Sequence, residues 1–169
     1  SKDELGGAHV HAKSGVIDNI ARDEHDAFAQ IRQFLSYLPA NVWELAPRLL
    51  CDDPTDRKEP ALIDIVPRNR RRAFNIKKAI KLIVDDDSFF EIAPTYGPSI
   101  CVGLARINGQ SVGITANDCR FVAGAMTAQA AQKMRRLIEL CDNFHLPVVN
   151  FVDEPGFMIG PSAEANGTI

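Results

Sequence analysis

Residues 111–160 read SVGITANDCRFVAGAMTAQAAQKMRRLIELCDNFHLPVVNFVDEPGFMIG. The segment 111–117 is short, apolar and rich in β-branched side chains, which is typical of a buried strand. Residues 128–144 carry apolar side chains at helical spacing, and Thr127 can cap that helix. Its expected inward stripe is Ala131, Met134, Ile138 and Cys141, with Leu137 and Phe144 beside it. Pro147 cannot continue a helix, so a second strand over 148–152 completes a predicted β–α–β unit.

Two loops follow the strands of this unit. A right-handed β–α–β crossover makes its strands parallel, so both carboxyl ends lie at one edge of the sheet, where open α/β layers bind ligands. One loop starts at Asn117 and Asp118, and the other spans 153–157. Gly156 and Gly160 allow a ligand to approach the backbone closely. The sequence therefore predicts a ligand site where the two loops meet.

Composition restricts the functional class. The chain has 169 residues, of which 46% are hydrophobic, with a net charge of −3 and a pI of ≈ 5.8. These values indicate a globular protein and argue against nucleic-acid binding and membrane-surface binding. No apolar run approaches the length of a membrane span, and the first residues lack the apolar core of a secretion signal. We expect a cytoplasmic protein, or a mitochondrial matrix protein in a eukaryote.

The cysteine and histidine spacings do not predict a metal site. The four cysteines are Cys51, Cys101, Cys119 and Cys141. They form no CxxC pair, and no histidine lies at metal-binding spacing from them, so we expect reduced thiols. His9 and His11 lack a nearby cysteine or carboxylate partner, which favours a surface pair over a metal site.

Two more helices are predicted outside this unit. Asp23 and Asp26 can cap a helix that continues to about residue 38, and Asn75 can cap one that continues to about residue 84. The expected inward residues are Phe28, Ile31, Phe34, Leu35 and Leu38 in the first helix, and Ile76, Ile80 and Ile83 in the second. The short apolar pair Val16-Ile17 suggests a strand before them.

A hairpin and a proline-rich segment complete the organisation. Asn108-Gly109 lies between two apolar alternating runs, which is the strongest hairpin signal in the chain. Five of the ten prolines fall within residues 39–67. This composition predicts an ordered, extended linker between two domains, with Trp43 and Leu45 holding it to a surface.

One basic cluster runs from Arg68 to Arg72. Such a cluster can contact the phosphates of a nucleic acid or of a nucleotide-like cofactor. We favour a solvated segment before a helix, because the cluster lacks stacking aromatic residues. In that interpretation Asp85, Asp86 and Asp87, or another subunit, neutralise its charge.

Motifs distributed in order along essentially the whole chain are shared with one family. They are Glu4-Leu-Gly-Gly-Ala8 with His11 and Ser14-Gly-Val16, Tyr37-Leu-Pro39, Asp53-Pro54 with Asp56-Arg57, Ile65-Val-Pro67, Phe89-Phe-Glu-Ile92, Gly103-Leu-Ala-Arg-Ile-Asn-Gly109, Val112-Gly-Ile114 with Asn117, Lys133, Cys141-Asp142 with Phe144, and Phe151-Val-Asp153 with Pro155-Gly-Phe157. An ordered set of this length is far more specific than a lone glycine motif. The chain resembles the carboxyltransferase (β) subunit of biotin-dependent acyl-CoA carboxylases, of the propionyl-CoA and acetyl-CoA carboxylase type.

The resemblance implies a crotonase-like α/β fold, built from ββα spiral units in two related halves. Residues 1–38 would be the end of the N-terminal half, 39–74 the linker between the halves, and 75–169 the beginning of the C-terminal half. The spiral would be incomplete, so we expect an internal piece of a longer subunit. The family's two main oxyanion-hole glycine motifs would lie outside this chain, which we therefore expect to be inactive alone.

For the complete subunit, the resemblance implies transfer of a carboxyl group from carboxybiotin to the α-carbon of an acyl-CoA, either propionyl-CoA or acetyl-CoA. Backbone N–H groups would stabilise the oxyanions, so no polar catalytic triad is expected. The implied cofactor is biotin on a partner carrier domain, with acyl-CoA as the substrate. The implied partners are a biotin carboxylase and biotin carrier subunit, and further copies of the subunit in a homo-oligomer. Neither nucleic acid nor membrane is expected.

The family positions that line the biotin or substrate side match Asn117, Pro155, Gly156 and Phe157 in this sequence. Two departures lie beside them. Asp118-Cys119 stands where many members have Gln-Pro, and 158–160 reads Met-Ile-Gly where many members have Leu-Pro-Gly. These departures bear on which acyl-CoA is used.

Two other functions stay open at this point. A different crotonase-fold enzyme, a hydratase, an isomerase or a decarboxylase, needs an acid or base, and Asp153 and Glu154 are the acidic candidates on the site loop. A nucleic-acid or interaction module would use Arg68 to Arg72, although the acidic pI argues against it.

Overall fold

The computed structural model of the chain describes residues 2–69 and 71–168. Its helices are α1 (Lys2–Gly6), α2 (Ala8–Ser14), α3 (Glu24–Ser36), α4 (Leu62–Ile65), α5 (Ile76–Ile83), α6 (Ala128–Asn143) and α7 (Pro161–Ala165). Its strands are β1 (Phe90–Ile92), β2 (Ile100–Ile107), β3 (Gln110–Asn117) and β4 (Val148–Phe151), and Val122–Gly124 forms a 3-10 turn. None of the helices in this described part of the chain is both long enough and apolar enough to span a membrane.

The four strands form one mixed sheet in the order β1-β2-β3-β4. β1 and β3 both pair with β2 in antiparallel orientation, and β3 pairs with β4 in parallel. The turn between β2 and β3 is the predicted Asn108-Gly109 pair, and both residues have left-handed φ angles, of 51° and 72°. α6 connects the parallel strands β3 and β4, so the hairpin and the β–α–β unit are both confirmed.

Both faces of the sheet are covered, which explains why its central strands are almost continuously apolar. Alternate residues of β2 enter two different cores. Ile100, Val102 and Leu104 pack with Tyr37 and α6 on one face. Cys101 and Ala105 pack with α5 on the other face. Close approach of α6 to β3 requires Gly113, because a Cβ there would collide with the sulfur of Cys141.

The buried face of α6 matches the predicted stripe in part. Ala130, Lys133, Leu137 and Cys141 are buried. The predicted Ala131, Met134 and Phe144 pack against the core and are partly buried, whereas the predicted Ile138 is exposed. The sequence pattern did not predict this face, because lysine is normally a solvent-facing residue and Lys133 was not counted among the inward residues. Its side chain is only 2% exposed, and its Nζ donates a hydrogen bond of 3.2 Å to the carbonyl oxygen of Ala93.

Several other apolar side chains expected inside the protein are exposed. In α3, Phe34 packs against the core together with Leu38 just beyond the helix, while Phe28, Ile31 and Leu35 are exposed. Ile83 of α5 is also exposed, and so are Trp43, at 90%, and Leu45, which therefore do not hold the proline-rich segment to a surface. Described residues cover these side chains only in part, so an apolar pattern in the sequence does not by itself identify the buried residues here.

The expected strand at Val16-Ile17 is wrong. The backbone N–H groups of both residues donate to the carbonyl oxygen of His11, at 3.1 and 3.4 Å. Gly15 has a left-handed φ of 79° and closes α2 at this point. Val16 and Ile17 therefore complete the end of a helix instead of joining the sheet.

Two of the three acidic residues expected to neutralise the basic cluster, Asp85 and Asp86, have other partners. The Asp85 carboxylate accepts hydrogen bonds of 2.7 Å from the backbone N–H groups of both Asn108 and Gly109. Asp86 lies 3.8 Å from the guanidinium of Arg57. Arg68, Arg71 and Arg72 are exposed, and Arg70 of the same cluster lies outside the described residues.

The burial of Lys133 gives a pH-dependent prediction. Burial lowers the pKa of Lys133 from 10.5 to about 8. The unfolded chain therefore binds more protons between these two values, so this group makes stability rise with pH from about 8 to 10.5, and its destabilising effect is complete below pH 8. We expect Lys133→Met to increase the free energy of unfolding at pH 7 by about 2 kcal/mol, after allowing for the lost hydrogen bond.

Urea unfolding at pH 7 to 10 measures this effect. The difference in unfolding free energy between Lys133→Met and the parent protein should shrink as the pH rises above about 8. Lys81→Met, on the exposed side of α5, is the matched control and should change stability little at any pH. A difference that does not depend on pH would contradict the assignment of the penalty to a buried charge.

Candidate functional site

The two loops predicted to form the site lie against each other. Met126, in the loop after β3, forms a parallel bridge with Phe157, in the loop after β4. The N–H of Met126 donates to the carbonyl oxygen of Gly156 at 3.0 Å, and the N–H of Met158 donates to that of Met126 at 2.8 Å. The carboxyl edge of the parallel pair is therefore closed by a joined pair of loops.

Asn117 joins these loops through its side chain. It is buried at the end of β3, where its Nδ2 donates to the carbonyl oxygen of Gly124 at 3.0 Å. Its Oδ1 accepts a hydrogen bond of 3.2 Å from the backbone N–H of Asp153. Both ends of the amide are occupied by the protein, so Asn117 holds the two loops together.

Replacing Asn117 with Ala should therefore loosen the site. The change leaves the buried carbonyl of Gly124 and the part-buried N–H of Asp153 without their partner, which costs about 1–3 kcal/mol of unfolding free energy. Thermal or urea unfolding measures the loss. Asn166→Ala removes one exposed hydrogen bond, to Ser162, and should cost less than about 0.5 kcal/mol. Equal losses in the two variants would contradict the role given to Asn117.

The other three predicted lining residues lie on the outer part of the second loop. Pro155 is exposed, and more than half of the Phe157 side chain is exposed. Gly156 has a φ of 129°, and a Cβ built on it meets nothing within 4 Å. The main chain at this loop is therefore open to an approaching molecule.

A cleft of ≈ 820 Å³ lies next to these loops. Residues 98–99, 120–122, 127–129 and 158–163 line it, together with Gln132, Asn166 and Thr168. The first turn of α6 forms one side, and Thr127 is its N-cap, as predicted, because the side chain accepts a hydrogen bond from the N–H of Ala130 at 3.1 Å. Among the predicted site residues, Gly160 lines the cleft, whereas Asn117, Pro155, Gly156 and Phe157 lie behind it or beside it.

An ion pair stands at the side of this cleft. Asp118 is 1% exposed, and its Oδ1 and Oδ2 accept hydrogen bonds from Nε and Nη2 of Arg120, at 2.8 and 2.6 Å. These hydrogen bonds raise the pKa of Arg120. The N–H of Asp118 also donates to the carbonyl oxygen of Ser99 at 2.9 Å, which connects the pair to the start of β2.

Sequence reasoning identified neither Arg120 nor Ser99. Asp118 is predicted both as the start of a site loop and as a departure from the family pattern, and a cationic partner such as Arg120 could be suspected from that change of charge. Ser99 is the position beyond Ile100 in the predicted hairpin and therefore faces Asp118, but nothing in that pattern indicates that it lines a cleft. Its side-chain oxygen is buried and has no hydrogen-bond partner among the described residues.

The remaining candidate groups lie elsewhere. Asp153 and Glu154 are exposed and do not line the cleft. Within residues 2–69 and 71–168, no three His, Cys, Asp or Glu side chains are arranged to hold a metal ion. The four cysteines are free thiols.

Known proteins resemble the chain over its whole length. Its sequence matches the carboxyl transferase domain over residues 1–169. It is 40% identical over 175 residues to the biotin-dependent acetyl-/propionyl-coenzyme A carboxylase beta5 subunit of Mycobacterium tuberculosis, covering 99% of this chain and 32% of that protein. It is also 40% identical over 168 residues to the methylmalonyl-CoA decarboxylase subunit alpha of Veillonella parvula, covering 99% of this chain and 33% of that protein.

The fold has a close counterpart among solved structures. The structure of transcarboxylase 12S with methylmalonyl-coenzyme A and methylmalonic acid bound superimposes with a TM-score of 0.94 and 34% identity, over 99% of this chain and 32% of that chain. The prediction of a crotonase-like α/β fold is confirmed. The chain spans about a third of the length of the curated relatives that it matches. The match over every residue shows that the chain belongs to the carboxyl transferase domain family.

Proposed function

We propose that the complete subunit containing this chain transfers a carboxyl group from biotin, held on a partner carrier domain, to the α-carbon of an acyl-CoA. Propionyl-CoA and acetyl-CoA are the proposed substrates. The observation that carries the proposal is the family match over every residue, including both site loops. In the reaction, the α-carbon loses a proton and forms a C–C bond to the carboxyl group, while the N–C bond of the donor breaks and its nitrogen takes up a proton.

The chemistry of the cleft fits this type of transfer. Its walls include apolar side chains such as Phe121, Val122 and Ile159, which suit the bicyclic body of biotin. The N–H groups of the first turn of α6 point outward from the helix start and can stabilise a developing oxyanion without titrating. Biotin, when bound, supplies the activated carboxyl group. We propose that Pro155, Gly156 and Phe157 lie beside the bound biotin or substrate, and that Asn117 acts from behind by holding the loops.

The proposed partners follow from the same function. They are a biotin carboxylase and biotin carrier subunit, and further copies of the complete subunit in a homo-oligomer. The exposed apolar side chains of Phe28, Ile31 and Leu35 support coverage of α3 by further protein in the complete assembly. The proposed division is 1–38 in the N-terminal half, 39–74 as the linker and 75–169 in the C-terminal half. The free thiols support a reducing compartment, the cytoplasm or the mitochondrial matrix.

The test is a carboxylation assay on the complete subunit. It is mixed with its carboxylase and biotin carrier, ATP and ¹⁴C-bicarbonate, and separately with propionyl-CoA, acetyl-CoA and butyryl-CoA. We expect acid-stable label in an acyl-CoA, and loss of that label when avidin sequesters the biotin. The isolated chain of 169 residues is the control and should be inactive. No labelled acyl-CoA from the complete, avidin-free mixture would overturn the proposal.

A decarboxylase is the second candidate function. The similarity to the methylmalonyl-CoA decarboxylase subunit alpha favours it, because that protein is as similar to this chain as the carboxylase subunit described above. In this case the carboxyl group would travel from the acyl-CoA to biotin. Incubating the complete subunit with methylmalonyl-CoA, the biotin carrier and its native partner subunits, without ATP or ADP, would then give propionyl-CoA in repeated turnovers, because a partner of the decarboxylase type releases CO2 from the carboxylated carrier and frees its biotin. A carboxylase, whose partners do not release that carboxyl group, would stop after one equivalent of the carrier.

A further inference from the structure

We propose that Arg120, held from behind by Asp118, is the recognition point for a carboxylate in the cleft at the start of α6. The cleft would thus select ligands that combine an apolar body with one negatively charged group. The identity of these ligands rests on the proposed function, whereas the selectivity for charge can be measured without turnover.

The charge of the cleft is the first observation. Arg120 is the only residue with a formal charge among the described residues that line it, and none of them is Asp or Glu. Its side chain is 35% exposed and lines the cleft. Phe121, Val122, Met158 and Ile159 give the cleft apolar walls. Asp118 balances the formal charge of Arg120, so any preference comes from the guanidinium N–H groups that the pair leaves free, which favour a carboxylate on an apolar body over its neutral counterpart.

Asp118 is the second observation, because it fixes the cation in place. Its buried carboxylate occupies Nε and Nη2 of Arg120. The remaining N–H groups of the guanidinium are not used by this pair, since the group carries five donors in a rigid plane. A guanidinium already oriented by one carboxylate loses less side-chain entropy when it binds a second one. Asp118 is therefore a positioning residue, and Arg120 is the residue that contacts the ligand.

The third observation is an unused hydroxyl and unused N–H groups at the same cleft. Ser99 is only 2% exposed and lines the cleft, and its Oγ has no hydrogen-bond partner among the described residues. A helix start also leaves the N–H groups of Ala128 and Gln129 without acceptors inside α6. The first turn of α6 contains no acidic residue that would compete for them. Donors of this kind favour a negative group, as the free N–H groups of Arg120 do.

Two reactants of the proposed transfer have this chemistry. One is a cyclic urea whose nitrogen carries a carboxylate, and the other is an acyl thioester whose α-carbon carries one. The shared feature is a carboxylate on a small apolar body. We expect the cleft to bind each carboxylated reactant more tightly than the same molecule without its carboxylate.

The test compares the dissociation constants of two matched pairs for the complete subunit, measured by titration calorimetry. The first pair is (2-oxoimidazolidin-1-yl)acetate and its neutral acetamide, which represent the urea source. The second pair is methylmalonyl-CoA and propionyl-CoA, which represent the thioester source. We expect the charged member of one pair to bind about tenfold tighter or more, the size expected of a charge-assisted hydrogen bond. The pair that shows the preference identifies the source.

Arg120→Gln should remove this preference and leave the neutral member of the pair unaffected. Because that variant leaves Asp118 buried without its partner, the double variant D118N/R120Q is made as well, and it should show the same loss. Arg135→Gln is the matched control, since Arg135 is exposed on α6, pairs with Glu139 and does not line the cleft. The Arg135→Gln variant should prefer the charged ligand to the same degree as the parent protein.

Two results would overturn the proposal. One is a parent protein that binds the charged and neutral members of both pairs equally. The other is a preference that persists in D118N/R120Q. The proposed function fails separately, since a subunit that prefers the carboxylate but never labels an acyl-CoA would keep this site and lose the transferase assignment.

Discussion

Arg120→Gln alone should lower the free energy of unfolding by about 3 kcal/mol, which is the range measured when one partner of a buried ion pair is removed. The cost comes from Asp118, whose carboxylate is 1% exposed and accepts both of its short hydrogen bonds from Arg120. The backbone N–H of Arg120 would remain as a weaker donor, at 3.2 Å. We place the effect at the lower end of the range because Arg120 itself is partly exposed.

The double variant D118N/R120Q should recover most of that loss, since it leaves no buried charge without a partner. Urea unfolding of the parent, both single variants and the double variant forms a thermodynamic cycle, which isolates the interaction between the two side chains. We expect a coupling of about 2 kcal/mol. Additive effects of the two single changes would show that the pair contributes nothing as a unit, and would remove the physical basis for Asp118 as a positioning residue.

The sequence could predict the elements that depend on local signals. β3, α6 and β4 follow from apolar periodicity and from Pro147, and the β2–β3 hairpin follows from Asn108-Gly109. The meeting of the two site loops also follows, because the carboxyl ends of neighbouring parallel strands share one edge. These signals act over a few residues or through a general rule of connection, so one sequence is sufficient to read them.

The errors arise where a residue behaves differently from its average. Lys133 is buried and displaced the predicted stripe of α6, while Phe28 and Leu35 look like core residues and are exposed. Polarity patterns assume that each helix buries its apolar face within the same chain. For α3 that assumption fails among the described residues, and for α6 a single buried lysine was enough to shift the interpretation.

The residues of the cleft were missed for a different reason. The predicted hairpin places Ser99 opposite Asp118, but it does not reveal that the Ser99 hydroxyl is buried without a partner among the described residues. The role of Arg120 depends on the burial of the Asp118 carboxylate, which no repeat or spacing in the sequence indicates. The predicted division of the chain at residues 39 and 75 remains a prediction, although Leu49 contacts the hairpin across that division.

Gly109→Ala should lower the free energy of unfolding by about 3 kcal/mol or more, from the sum of a left-handed backbone and a collision that side-chain rotation cannot relieve. Gly109 has a φ of 72°, and a Cβ there would collide with the backbone carbonyl of Leu49. Leu49 cannot simply move away, because its N–H donates to the carbonyl oxygen of Gly109 at 3.1 Å. On the other side, Asp85 holds the N–H of Gly109 at 2.7 Å.

Gly167→Ala separates the two causes. Gly167 has a similar left-handed φ of 67°, but a Cβ there meets nothing within 4 Å. It should therefore cost only the backbone strain, about 1 kcal/mol. Urea unfolding of both variants gives the difference, which measures how firmly the proline-rich segment is fixed to the hairpin. Equal costs would mean that the segment around Leu49 moves aside freely, and that its hydrogen bond to the hairpin contributes little to the stability of the fold.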